Sequence, residues 1–215
     1  MAVEAIYSIR TIGRASIILV TIFYYMFFQS QVYNAFITQE QYLRMQLEHA
    51  NRLDGSTGVL NKQAFADAVK KILWDKNAQN HSSIGFVFID LDHLKRLNDT
   101  LGHTMGDIAI ADAVASIQAT CRKTDLIGRF GGDEFYVMLP NIPKQRFMVY
   151  LNDVQAKLQN EYSANGQTVA VSASMGAVYT ENIQNLSYEQ LVELGDEALY
   201  EAKAFGRNCH IVKEL

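Results

Sequence analysis

Cysteine is scarce in this sequence, a basic tract is missing, and one long stretch carries no charge at all. The two cysteines, Cys121 and Cys209, have neither metal-ligand spacing nor the density of a secreted disulfide scaffold. Reduced thiols in a cytoplasmic domain follow. A net charge of -4 without a run of Lys or Arg argues against a nucleic-acid backbone as partner. It does not exclude a nucleoside triphosphate, because phosphate recognition needs only a few placed cations and a metal. Residues 15–39, 25 in all, contain no charged side chain. As a helix they reach about 37 Å, against a hydrocarbon core of about 30 Å. No small-residue cleavage site marks a signal peptide, so a transmembrane helix over about 15–37 is expected ahead of a buried or interfacial one, although the stretch turns polar from Gln29 onward.

What is present is a chain of 215 residues with 49% hydrophobic content, enough for one packed domain plus an extension. From Val32 the pattern changes: Phe36, Leu43, Leu47 and Ala50 follow at spacings of seven, four and three, as on a heptad seam. Residues 1–50 therefore read as an N-terminal helical segment, the apolar helix followed by a stalk, with a single amphipathic helix as the alternative. Asn51 to Gly58 breaks the pattern and sets a domain of residues 51–215. Within it, helices are expected over Lys62–Asp75, around His93–Asp99, over Asp107–Arg122, over about Lys144–Tyr162, and from the Ser187/Gln190 capping box to Phe205, where Gly206 is placed to end it. Strands are expected over Ile84–Leu91, Leu126–Phe130, Phe135–Leu139, Thr168–Val178 and Asn208–Val212. Such an alternation gives an α/β sandwich with a mixed central β-sheet flanked by helices.

Two acidic sites stand out. Leu126 to Leu139 reads as a hairpin around Gly131-Gly132-Asp133-Glu134, where a Gly-Gly pair suits a tight turn with positive φ at both glycines. On that segment alone, glycines that merely turn the chain and acids that keep it soluble are an equal reading. Upstream, the apolar run IGFVFIDL ends in Asp90-Leu91-Asp92, and a carboxylate at the end of a buried strand needs a cation, a donor or water. If the two strands are adjacent, Asp90 and Asp133 can converge on a hard divalent ion.

Gly131-Gly132-Asp133-Glu134-Phe135 matches the signature of the GGDEF family, and the chain resembles a bacterial diguanylate cyclase. Further landmarks recur in order: Asp54 to Lys62 (DGSTGVLNK), Asp90 to Asp99 (DLDHLKRLND), Gly102 to Asp107 (GHTMGD), Ser174-Met175-Gly176, and Ala198 to Asn208 (ALYEAKAFGRN). The resemblance covers roughly residues 51–215. It implies a nucleotidyl-cyclase fold of the polymerase-palm type, condensation of two GTP into cyclic di-GMP by a homodimer, and a cytoplasmic catalytic domain. With the expected span, this places the protein at the bacterial inner membrane. A lone span entering that way opposes Arg10 and Arg14, so it reads as the last helix of a longer membrane sensor.

The resemblance also assigns residues. Asp90, the Leu91 carbonyl, Asp133 and Glu134 would hold Mg²⁺, with Mn²⁺ as an alternative. Asp133 is further implied as the base for the 3′-hydroxyl, a role that competes with coordination, and the ligand role is preferred. Lys95 would neutralise growing phosphate charge, where without the family a solvated helix lysine is the reading. Lys203 and Arg207, four apart, share a helix face and form a cationic clamp for the triphosphate, although cations at a helix end also have a purely structural rationale. Asn98 and Asp107 offer the donors and acceptors that guanine needs, and His103 matches a substrate contact. Arg122 and Asp125 match an inhibitory RxxD site for cyclic di-GMP, with a surface ion pair as the plain alternative.

The sequence departs from the family pattern at Ser56 and Val59, where leucine is usual, at Lys62, where arginine is usual, and at Leu94, where phenylalanine is usual. Lys62 implies a weaker structural ion pair near the domain entrance. The rival to a cyclase is a catalytically silent module that binds GTP or cyclic di-GMP and signals. No phosphodiesterase signature occurs, so synthesis without degradation is expected.

Overall fold

The computed structural model describes residues 2–50, 52–74, 83–183 and 186–215. The polypeptide divides into two units, Met1–Asn51 and Arg52–Leu215. The first is one helix, α1 (Ala2–Ala50), of 49 residues, and no proline interrupts it. Its described side chains between Ser16 and Arg44 are exposed apart from a half-buried Ile37. Among the described residues, no helix is long and apolar enough to cross a membrane. The span expected over 15–37 is therefore not supported. The physical reason lies in Gln29, Ser30, Gln31, Asn34 and Gln39, which interrupt the apolar run with groups that are costly to bury in hydrocarbon. Of the heptad seam, Phe36 and Leu43 are exposed, while the side chains of Leu47 and Ala50, like those of Arg10 and Arg14, lie outside the described residues.

The second unit runs β1 (Leu60–Asn61), α2 (Lys62–Trp74), β2 (Ile84–Asp92), α3 (Leu94–Leu101), α4 (His103–Gln118), β3 (Leu126–Arg129), β4 (Glu134–Pro140), α5 (Lys144–Lys157), β5 (Asn160–Ala164), β6 (Gln167–Thr180), α6 (Tyr188–Ala204) and β7 (His210–Glu214). The expected ends at Asn51 and Asp75 lie outside the described residues. The strands form a mixed sheet in the order β1-β3-β4-β2-β6-β5, with β7 parallel to β6 and β1 parallel to β3, and the other pairs antiparallel.

All nine residues of β2 are buried, because helices cover both faces of the sheet. Val87, Ile89 and Leu91 join Ile117, Phe135, Val137 and Leu151 in one core. Phe86 and Phe88 join Phe65, Tyr136, Leu191 and Leu199 in the other. Side chains alternate across a strand, so Asp90 and Asp92 fall on the face that Phe86, Phe88 and α6 occupy. The uninterrupted apolar run of β2 thus reflects a layer buried twice, with polarity only at its end.

Several boundaries differ from expectation. The helix expected to reach Tyr162 ends at Lys157, and Asn160–Ala164 pairs antiparallel with the start of β6. The cause is Asn165-Gly166, whose φ values of 52° and 76° make the hairpin turn. The helix expected from Asp107 begins at His103 and ends at Gln118. Gly131 and Gly132 do not adopt positive φ. The link between β3 and β4 is longer than a two-residue turn, closed by Phe130 N–H donating to the Glu134 carbonyl at 2.8 Å. Small size is what position 131 needs, since a Cβ there would lie 2.5 Å from Glu134 Oε2. The Ser187/Gln190 capping box forms in both directions, and Gly206 follows α6 at φ 123°.

Candidate active site

The sheet brings the two acidic sites together. Asp90 pairs in register with Glu134 on β4 and with Ser174 on β6, and the Leu91 N–H donates to the Asp133 carbonyl at 3.1 Å. Asp90, Asp133 and Glu134 therefore meet at one end of β2 and β4. Burial, together with Asp133 and Asp92, pushes the Asp90 carboxyl up, against the opposing pull of Lys203. Burial, then Asp90 and Asp133, pushes Glu134 up as well. Lys203 Nζ lies 2.8 Å from Asp90 Oδ2. An ammonium thus stands where the acids call for a cation.

Among the described residues, no three His, Cys, Asp or Glu side chains are grouped as a ready-made metal cage. Magnesium does not require one, since it is usually bound by one or two carboxylates together with substrate phosphate and water. The donor set is all oxygen, is acidic, and is short of positive charge, so these residues fit a hard divalent ion.

The other expected substrate residues lie on the elements that follow β2 and close the sheet. His93 adopts φ 67° at the head of α3, which brings Lys95 into the first turn, exposed. His103 and Asp107 sit one turn apart on α4, both exposed. Asn98 Oδ1 is buried without a hydrogen-bond partner. It packs so closely against Gly106 that a Cβ there would come within 1.9 Å of it. The amide oxygen is thus left unpaired beside a position where any side chain would collide with it. Lys203 and Arg207 do not share a helix face as their spacing suggests, because α6 ends at Ala204 and Arg207 lies past Gly206 at φ 66°; its Nε is 3.9 Å from Asp92 Oδ1.

Arg122 and Asp125 meet far from this cluster, near Pro140 at the other end of β4, roughly 20 Å along the strand. Asp125 accepts from the Arg122 backbone N–H at 2.7 Å, from Nε at 3.0 Å and from Nη2 at 2.8 Å, and Nη2 also reaches the Pro140 carbonyl at 2.9 Å. The pair borders an open cavity of about 600 Å³ that Arg146, Tyr150 and Lys157 also line.

Sequence reasoning missed Arg129. Its guanidinium donates to the carbonyls of Gly131 at 3.0 Å and Gly132 at 2.8 Å, to Asp54 Oδ1 at 3.1 Å and to Ser56 Oγ. Burial opposes the Asp54 carboxylate, yet hydrogen bonds from Thr57, Ser56 and Arg129 hold it well below the usual carboxylate range. The entrance ion pair is thus Arg129–Asp54, and not one that Lys62 makes; Lys62 Nζ lies 4.0 Å over the Phe130 ring. The Ser56 departure adds a partner to the network.

A family model described as "Diguanylate cyclase, GGDEF domain" matches residues 51–209. The chain belongs to the GGDEF family. This GGDEF chain is 35% identical over 167 residues to the probable diguanylate cyclase DgcC of Escherichia coli, covering 75% of the chain and 44% of that protein. It is 30% identical over 175 residues to the cyclic di-GMP phosphodiesterase NbdA of Pseudomonas aeruginosa, covering 81% of the chain and 22% of that protein. The chain spans less than half the length of these curated relatives. Among solved structures, the GGDEF domain of DgcB from Caulobacter crescentus in complex with c-di-GMP superposes with a TM-score of 0.67 at 25% identity, covering 76% of this chain and 95% of that one. The mixed sheet with flanking helices is the nucleotidyl-cyclase, palm-like fold of the family.

Proposed function

We propose that this chain is a diguanylate cyclase that condenses two GTP into cyclic di-GMP and two pyrophosphates. The observation that carries the proposal is the convergence of Asp90, Asp133 and Glu134 at one end of adjacent strands, with Lys203 held against them. In this reading Asp90, the Leu91 carbonyl, Asp133 and Glu134 hold magnesium, or manganese in its place. Bound there, the ion would supply charge neutralisation on the triphosphate.

The chain's own residues do the rest. Asn98 and Asp107 orient guanine, with His103 beside it, and the buried Asn98 oxygen supports that assignment. Lys95, Lys203 and Arg207 hold the phosphates. The 3′-oxygen of one GTP bonds to the α-phosphorus of the other, and the bond from that phosphorus to the pyrophosphate oxygen breaks. The 3′-proton departs toward the carboxylates; Asp133 is assigned first as a ligand, because coordination competes with a role as base. Repetition in the opposite sense closes the ring. Each chain presents one nucleotide, so the reaction needs two copies face to face, and α1 is the element we assign to pairing them. The pair Arg122 and Asp125 is assigned to product inhibition, supported by the cavity beside it.

Purified protein incubated with GTP and magnesium is expected to yield cyclic di-GMP and pyrophosphate in a ratio of about 1:2, resolved by chromatography. GTP binding without turnover would replace this reading with that of a silent binding module.

A further inference from the structure

Asp92 is the most deeply buried acid of the second unit's catalytic end, and no role above uses it. It is 2% exposed. Its Oδ1 accepts from Ser174 Oγ at 2.8 Å, and its Oδ2 accepts from Ser172 Oγ at 3.0 Å and from the Asn208 backbone N–H at 3.1 Å. The guanidinium of Arg207 stands beside it, half-exposed, with Nε 3.9 Å from Oδ1.

The turn it holds is unusual. Arg207 and Asn208 adopt φ values of 66° and 48°, and two consecutive non-glycine residues in the left-handed region persist only where their surroundings over-determine them. Asp92 grips this turn from the sheet side through the Asn208 N–H. From the other side, Gln155 of α5 and Gln159, just past its end, donate to Asn208 Oδ1 at 3.1 and 2.9 Å. The Arg207 N–H donates to the Ala202 carbonyl at 3.1 Å. The backbone from which the Arg207 side chain projects is thus held by hydrogen bonds on either side.

The contacts make the arrangement a ladder. Asp90 and Asp92 lie two apart on one face of a strand, about 7 Å, while Lys203 stands in the last turn of α6 and Arg207 in the left-handed turn that follows it. Asp90 meets Lys203, and Asp92 meets Arg207. The two rungs differ in kind: the acid of the first is assigned to the metal, whereas the acid of the second is saturated by serine hydroxyls and backbone.

We infer that Asp92 is a positioning residue for the phosphate clamp. It fixes the left-handed turn after α6 so that the Arg207 guanidinium is aimed before nucleotide arrives. The inference rests on the reading that this end of the sheet binds GTP, and it requires neither turnover nor dimerisation.

The test uses the full chain with magnesium and α,β-methylene GTP, which cannot react, and separately GMP, which lacks the phosphates that the clamp would hold. Binding is measured by calorimetry. Failure of the unaltered chain to bind the triphosphate would remove the reading itself and the inference with it; binding without cyclase activity would remove only the reaction. Asp92→Asn keeps the size and one acceptor oxygen but loses the charge that faces Arg207. It is expected to weaken the triphosphate roughly tenfold and to leave GMP unchanged. In an Arg207→Ala background it should add less than about twofold. Equal losses for triphosphate and GMP, no loss for either, or full additivity with Arg207→Ala would overturn the inference. Ser174→Ala withdraws one donor from Asp92 without emptying the site. It should weaken the triphosphate selectively by about threefold, and it decides the question if Asp92→Asn does not fold; an unchanged affinity there counts against it.

Discussion

The molecule holds two carboxylate–cation pairs at opposite ends of β4, and they are built on opposite principles. Arg122 and Asp125 form a closed unit in which backbone and guanidinium donors meet the acid from several directions and the Pro140 carbonyl takes a further hydrogen bond. Asp90 and Lys203 form an open one: a single contact at 2.8 Å serves an acid crowded by Asp133 and Glu134. The closed pair contributes order, and any ligand there must add to it. The open pair leaves like charges partly buried together, an arrangement that a divalent ion relieves. The lesson is that an ion pair distance alone does not mark a functional site; the charge left over after the pair is counted does.

The largest effect should come from emptying the open pair. Asp90→Asn is expected to lower cyclase activity roughly a thousandfold, about 4 kcal/mol of transition-state stabilisation. The thermal midpoint of the metal-free protein should not fall at neutral pH, because a carboxyl held above its ordinary range is disfavoured when ionised. A large loss of stability alongside the loss of activity would make the two pairs alike and break the comparison.

Gly106→Ala comes next. A Cβ within 1.9 Å of Asn98 Oδ1 must displace that amide, so kcat/KM for GTP should drop on the order of tenfold to a hundredfold. Little change in the melting temperature, with the loss carried mainly by KM, would place the effect at the guanine contact. At the closed pair, Arg122→Ala should relieve product inhibition and leave the initial rate intact. It should also cost about 1–3 kcal/mol in chemical denaturation, because it strips the guanidinium donors from a carboxylate whose side chain is 1% exposed. Inhibition that survives the change would reject the site.

The smallest effect is in the pH dependence of the metal-free protein. Asp90 and Glu134 bind protons more tightly when folded, so the stability their protonation contributes is full below their ordinary values of 3.8 and 4.5 and is lost as pH rises through the raised folded values. Asp54 runs the other way. Its folded value lies below 3.8, so its contribution is present above that pH and is lost as pH falls through the lowered value. Denaturation between about pH 2 and 7 should therefore show Asp90→Asn flattening the decline on the rising side, and Asp54→Asn flattening the one below pH 3.8.

Much of the site was legible because its parts are local. The apolar run ending at Asp90 and the Gly131–Glu134 turn each announce an acid at a strand end, and the register of β2 with β4 brings them together. The four-residue spacing of Lys203 and Arg207 misleads on one point, since the helix stops at Ala204 and Arg207 projects from the turn beyond it. What sequence does not carry is contact across distance: Arg129 finds Asp54 and the signature turn only when β1 lies beside β3, and Asp92 finds Asn208 only through the parallel pairing of β6 and β7. The strand Asn160–Ala164 was hidden for a different reason. Its own residues permit helix, and the decisive signal, Asn165-Gly166, lies just beyond it. The apolar content of α1 suggested a membrane span, yet Gln29 to Gln39 brings polar groups back within three turns.

As proposed, the acids at the end of β2 and β4 form a divalent-ion site that Lys203 guards. Anomalous diffraction from crystals of the chain grown with Mn²⁺ and α,β-methylene GTP tests it most directly. A manganese peak is expected between Asp90 and Asp133, with the Lys203 ammonium moved from Asp90 onto the phosphates. Nucleotide bound with no manganese at these carboxylates, or with Lys203 still on Asp90, would contradict it.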